Sequence, residues 1–334
     1  MRKLLLPTAI GAAGLLLGLA SLWWRYAGFA GETFVDIPAR TSSWQIGRLL
    51  ADAGVIRYRW QFWLARALKP RTRLHYGEYR FQAPASTWEV FERVARGDVF
   101  YYLLTVPEGS NMFDIAAAVE QLGVMTAAEL LRQARDPSLI RDLAPRAPSL
   151  EGYLFPDTYR ITRRATAYDL CRQMTERFRQ AWASLKTVAD VHETVTLASL
   201  IEKETALPHE RPLVASVFLN RLKLGMPLAC DPTAIYAALL EDRYRGTLYR
   251  SDLESMHRYN TYRHAGLPPG PIANPGLESL KAALNPAQTD YLYFVALPDG
   301  SGAHQFSRDL ASHQRAVARY RRGQKANHRA KPPG

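Results

Sequence analysis

Cysteine is nearly absent: Cys171 and Cys230 are the only two in 334 residues, so no disulfide framework organises the chain. Metal-ligand spacings, a phosphate-cradling glycine loop and a G-x-S-x-G turn are missing as well, which removes zinc, phosphoryl-transfer and α/β-hydrolase chemistry. Acidic residues are lacking at both ends. Residues 1–25 carry Arg2, Lys3 and Arg25 with no acid, and seven cations from Arg315 onward also face none. These ten charges leave only +2 of the net +12 for the long middle. A duplex binder needs cations concentrated on a folded face, so no nucleic-acid partner is expected. What is present is an ordinary globular composition, 47% hydrophobic and 22% charged, at a length suited to about two domains.

Charge is also missing from Leu4 to Trp24, matching the run of about 20 apolar residues that spans a bilayer as a helix. Arg2 and Lys3 before it place the amino terminus in the cytoplasm, with Trp23 and Trp24 at the interface. Everything after about residue 30 then lies outside the cytoplasm. Ala27-Gly28-Phe29-Ala30 is a passable cleavage site for the competing reading, a signal peptide. The run exceeds the usual apolar region of about 7 to 15 residues and ends in bulky aromatics, which favours an anchor.

The expected fold class is α+β. A cytoplasmic stub and transmembrane anchor occupy 1–30 and a small α+β module 33–105. A larger, mostly helical domain with a small sheet follows over 106–314, and a flexible basic tail over 315–334. In the module, Ser42 and Ser86 stand where helix N-caps are needed and Gly54 and Gly97 where helices stop. The stretch 75–81 alternates as a strand. Beyond the turn Pro107-Glu108-Gly109-Ser110, helical patterns cover 111–122, 126–135, 168–185, 195–205 and 212–224. Asp231-Pro232-Thr233 reads as a helix cap, and 291–296 as a buried strand in a hairpin with 304–306.

Chemistry becomes arguable at 195–205. Glu202 lies at one edge of that helix's apolar face and Glu204 on the other flank, while Lys203 points away. A carboxyl held against apolar neighbours favours its neutral form, as a general acid requires. A solvated glutamate paired with Lys203 or Arg211 is the alternative, and the helical wheel does not choose between the two acids. The Pro- and Gly-rich stretch 266–276 reads either as a rigid groove wall or as a connector.

Several blocks in fixed order carry a family resemblance: LEGYLFPDTY at 150–159, ASLIEKET at 198–205, ERPLVASVFLNRL at 210–222, DPTAIYA at 231–237, YNTY at 259–262, GLPPGPIANPG at 266–276 and YLYFVA at 291–296. Together they resemble the YceG-like endolytic murein transglycosylases. The resemblance implies a LysM-like character for the module and a catalytic role for the larger domain. The implied reaction cuts the MurNAc-β-1,4-GlcNAc bond of peptidoglycan strands and leaves 1,6-anhydroMurNAc ends, with no cofactor. It selects Glu202 as the catalytic carboxyl, general acid and then base. Glu151, Asp231, Asn260, Thr261 and Tyr262 lie in matching blocks and become candidates for lining the substrate groove. Each also has a structural reading: Asp231 an N-cap, Glu151 the partner of an arginine, Tyr262 core. Peptidoglycan synthases are the implied partners, and the implied location is a bacterial inner membrane with the catalytic domain on its periplasmic face. A hydrolytic muramidase using Asp231 or Glu151 as second carboxylate, or an anchored glycan binder without activity, are the competing functions.

Overall fold

A computed structural model describes residues 13, 14 and 16–330. The chain divides into two compact units between Tyr102 and Leu103. In the first, β1 (Arg25–Tyr26) pairs with β4 (Ala85–Ser86), and β2 (Thr33–Ile37) pairs antiparallel with β3 (Gly77–Phe81). Against these pack α1 (Ser43–Asp52), α2 (Arg59–Leu68) and α3 (Thr87–Arg96). The helix starts follow from local chemistry. Ser42 accepts the Gln45 N–H while the Gln45 side chain returns to Ser42, and Ser86 and Glu89 repeat the arrangement. Each such capping box satisfies two otherwise orphaned donors. Gly97 closes α3 at φ 71°, a left-handed position open to a residue without Cβ. Ile46, Leu50, Phe62, Tyr79, Phe81 and Phe91 form the core, each large side chain contributing about 1.5–3 kcal/mol through burial.

The second unit is mainly helical. After β5 (Tyr102–Thr105) come α4 (Met112–Gln121), α5 (Ala127–Ala134), β6 (Thr158–Ile161), which pairs with β5, α6 (Ala167–Ser184) and α7 (Val191–Glu204). Then follow α8 (Arg211–Lys223), α9 (Asp231–Leu240), the short α10 (Arg250–Leu253), α11 (Leu277–Leu284), the hairpin β7 (Tyr293–Ala296) with β8 (His304–Ser307), and α12 (Leu310–Ala330). Helix α7 is the spine: ten of its residues, from Val191 to Ile201, are buried, and it packs on α8 and α11.

Much of the apolar run Leu4–Trp24, and with it most of the expected anchor, lies outside the described residues; among the described ones no helix is long and apolar enough to cross a membrane. At the end of that run Ser21–Trp23 is a 3-10 turn whose Leu22 is fully buried in the module core. Gln61 donates to the Ser21 carbonyl at 3.2 Å and fixes the turn there. Asp231 is not a cap: it is the first helical residue of α9, and Cys230 holds the cap position. Strand β7 is only partly buried. Residues 315–330 continue α12 instead of trailing from it. Cys171 and Cys230 are both buried and unbonded.

Candidate active site

Glu202 sits in the last turn of α7, where the helix meets the loop that starts α11. Both its oxygens are engaged. Oε1 accepts from an Arg211 terminal nitrogen at 3.1 Å, and Oε2 accepts the Gly276 backbone N–H at 3.0 Å. Gly276 caps α11, so the carboxylate lies against the positive end of that helix. Arg211 opens α8 and is itself buried, with an Nε that has no partner among the described residues.

A second carboxylate completes the cluster. Glu108 Oε2 is 3.7 Å from the same Arg211 nitrogen, and its side chain is 49% exposed. Burial, then the neighbouring Glu202 charge, pushes the Glu108 carboxyl above its ordinary value. The loop is shaped to bring it there. A Cβ on Gly276 would stand 1.9 Å from Glu108 Oε1, and Gly109 takes φ 76° beside Glu202. Lys203 donates to the Gly109 carbonyl at 3.1 Å, which ties the loop to α7 and accounts for this lysine without an ion pair to Glu202. Sequence reasoning does not single out Glu108; its only trace is the turn Pro107–Ser110. Arg211 emerges as the true pair of Glu202, in a buried setting and not a solvated one.

The 266–276 loop is pinned along α7. His192 Nε2 meets the Pro269 carbonyl at 3.0 Å, Ser199 accepts the Ile272 N–H at 3.1 Å, and Glu202 takes Gly276. Of its two sequence readings, the fixed wall is the one that this geometry suits. Asn274 locks the other side: it exchanges backbone hydrogen bonds with Gly109 and Ser110, accepts from Leu154 N–H, and donates to Glu151 at 3.0 Å.

Glu151 is thus behind the site and not in it. It is 1% exposed and also accepts the Met112 N–H at 2.9 Å, with burial pushing its carboxyl up to about 7. Its partners are the Asn274 amide, backbone N–H groups and the Tyr236 hydroxyl, not an arginine. Asn260 and Thr261 are fully interior too. The Asn260 amide donates to three carbonyls between Asp252 and Ser255, and Thr261 bonds Cys230 N–H and the Thr233 hydroxyl. Both residues hold their loop and present nothing to a groove.

Asp231 and Tyr262 belong together elsewhere on the unit. The Tyr262 hydroxyl donates to Asp231 at 2.5 Å, and both line a cavity of about 330 Å³ with Glu204, Arg221 and His313. Glu204 there accepts the Cys230 thiol at 2.9 Å, and burial raises its carboxyl. The two glutamates of α7 therefore serve two different clusters.

The YceG-like family matches residues 35–319, which include every residue of the Glu202 cluster. The chain belongs to that family. An endolytic murein transglycosylase of Bacillus subtilis is 33% identical over 307 residues, covering 86% of this chain and 84% of the relative. One from Streptococcus pneumoniae is 30% identical over 325 residues, and there the match spans only 58% of the relative's length. The crystal structure of a YceG-like protein from Listeria monocytogenes superposes with a TM-score of 0.55 at 31% identity, covering 86% of this chain and 99% of that one. Within this YceG-like chain, Glu202 is the carboxyl whose block the family resemblance marks, and it is the one clamped between an arginine and a helix terminus.

Proposed function

We propose that the chain is an endolytic murein transglycosylase that cuts MurNAc-β-1,4-GlcNAc bonds in peptidoglycan and forms 1,6-anhydroMurNAc ends. The observation that carries the reading is Glu202 held between Arg211 and the amino terminus of α11, beside a rigid loop wall, inside a family match over most of the chain. Glu202 protonates the glycosidic oxygen as the muramic ring gains oxocarbenium character. It then takes the proton of the C6 hydroxyl as that oxygen attacks C1. One glycosidic C–O bond breaks, one C1–O6 bond forms, and the proton lent in the first step is recovered in the second. No water is consumed.

Arg211 fits this cycle because it faces two carboxylates. Glu202 Oε1 can carry a proton only when Arg211 releases it, and Glu108 stands ready to receive the guanidinium less than 1 Å farther away. Turning back, Arg211 supports the carboxylate that accepts the second proton. Asp231 and Tyr262 are proposed to meet the glycan in their own cavity, while Glu151, Asn260 and Thr261 act by holding the loops. The module is proposed to be LysM-like, the apolar amino-terminal run a single-pass anchor with the catalytic unit on the outer face, and peptidoglycan synthases its neighbours.

Glu108 also gives the hydrolytic alternative a second carboxylate, in place of Asp231 or Glu151. Product mass separates the two. Digestion of purified glycan strands should release anhydro-ended fragments; fragments heavier by one water would overturn the transglycosylase reading. Strands left uncut by the wild type would leave only the glycan-binder reading.

A further inference from the structure

The near-neutral body conceals a local excess of positive charge. Residues 57–73 contain Arg57, Arg59, Arg66, Lys69, Arg71 and Arg73 without one acid. Most of this stretch is α2, whose Gln61, Phe62 and Ala65 are buried in the module. The opposite face would be polar in an ordinary surface helix. Here Trp60, Trp63 and Ala67, at i, i+3 and i+7, are all exposed, with Trp63 open over 54% of its surface. Around them stand Trp44 and Tyr58, also exposed. The cations are laid over these rings: Arg59 lies 5.0 Å from the Trp44 centroid, Arg57 5.4 Å from that of Tyr58, and Tyr58 stacks on Trp60.

This patch is continuous with the end of the apolar amino-terminal run. Residues 16–20 are helical, Leu16 and Leu17 are exposed, and the helix passes straight into the turn whose Leu22 is module core. A Cβ at Gly18 would stand 4.0 Å from the Trp60 ring. No linker separates this helix from the turn that carries Leu22 into the module core. If the run spans a bilayer, the face bearing Trp60 and Trp63 is brought to the bilayer surface.

We propose that α2 of the module lies in the headgroup region of an anionic lipid bilayer, with Trp60, Trp63 and Ala67 turned to the lipid and Arg57 and Arg59 on its phosphates. The inference rests on the reading of the apolar run as a membrane helix. Indole rings prefer the interface, where the ring is desolvated and its N–H stays wet. Basic helices with an aromatic face settle in that plane, and each cation near an anionic leaflet adds to the attraction. A sugar platform would share the rings, but neither the adjoining exposed leucines nor the acid-free run of cations follows from it.

The test uses the full chain with an environment-sensitive fluorophore on Ala67→Cys, and a reference label on Val188→Cys in the second unit, which is fully exposed. Cys171 and Cys230 are buried and stay unlabelled. The proteins are reconstituted into phosphatidylcholine vesicles with and without phosphatidylglycerol, then exposed to a lipid-borne spin-label quencher or to iodide in the water. The proposal expects the label at 67 to lose at least half its emission to the lipid quencher. The label at 188 should keep its own, and the difference should widen with phosphatidylglycerol and shrink in Arg57→Gln/Arg59→Gln. Co-flotation with vesicles while position 67 responds only to iodide would overturn the proposal and leave the anchor standing. Absence of co-flotation would overturn both. Shielding of position 67 by added glycan strands, and not by lipid, would reassign the patch to sugar.

Discussion

Glu202 and Glu204 are two residues apart on one helix, and their surroundings differ completely. Glu202 faces a buried guanidinium and a helix amino terminus, with a second carboxylate sharing the cation. Glu204 faces a thiol in a cavity with Asp231 and Tyr262, and its carboxyl is raised by burial. A two-residue step turns a side chain about 200° around a helix, so neighbouring carboxyls meet different units of packing. The lesson is that an acid is chosen for chemistry by what other segments bring to it.

The comparison breaks most sharply by exchanging acid for amide at each position. Glu202→Gln should lower turnover of glycan strands by about three orders of magnitude, the middle of the range for a lost general acid–base group. Equal losses from Glu202→Gln and Glu204→Gln, read in one assay of released anhydro-ended fragments, would erase the distinction. Arg211→Leu leaves two carboxylates facing each other in a partly dry pocket. It should cost about 3–5 kcal/mol of stability, as loss of one partner of a buried pair does, measured by chemical denaturation.

Glu151 sharpens the contrast through pH. Its folded carboxyl is raised to about 7 from 4.5, so the stability it contributes is complete below about pH 4.5 and is lost as pH rises towards 7. Glu151→Gln should flatten that decline, a difference on the order of 3 kcal/mol between pH 4.5 and 7.5. Denaturation midpoints at the two pH values check it.

Smaller effects follow. Glu108→Gln should reduce the rate about tenfold and move the alkaline limb of the pH–rate profile to lower pH, because one negative charge beside the site is gone. A rate loss with an unmoved profile would make Glu108 structural. Glu204→Gln should change the rate by no more than about fivefold, since a single hydrogen bond to a thiol is worth about 1 kcal/mol.

Much of the fold was readable from local patterns. Ser42 with Gln45 and Ser86 with Glu89 act across three residues, so these caps announce their helices in the sequence itself. The hairpin of β7 and β8 announces itself through Pro298-Asp299-Gly300. The candidate site was readable only through the family blocks, which mark Glu202 but neither Arg211's pairing with it nor Glu108. Glu151, Asn260 and Thr261 lie in those blocks as well, yet their side chains point inward and serve the loops. A motif marks that a position matters without saying which way it faces.

By itself the sequence determined the mixed α+β character, the helix caps at Ser42 and Ser86 and the family. The tertiary structure alone decided that Arg211 and not Lys203 pairs with Glu202, that Gly276 offers its N–H from 74 residues away, and that Glu108 arrives from 94 residues upstream. Helix and turn signals act over three or four residues, where the chain's own geometry fixes who meets whom. Contacts closed across scores of residues depend on how whole helices pack, and no local pattern encodes them.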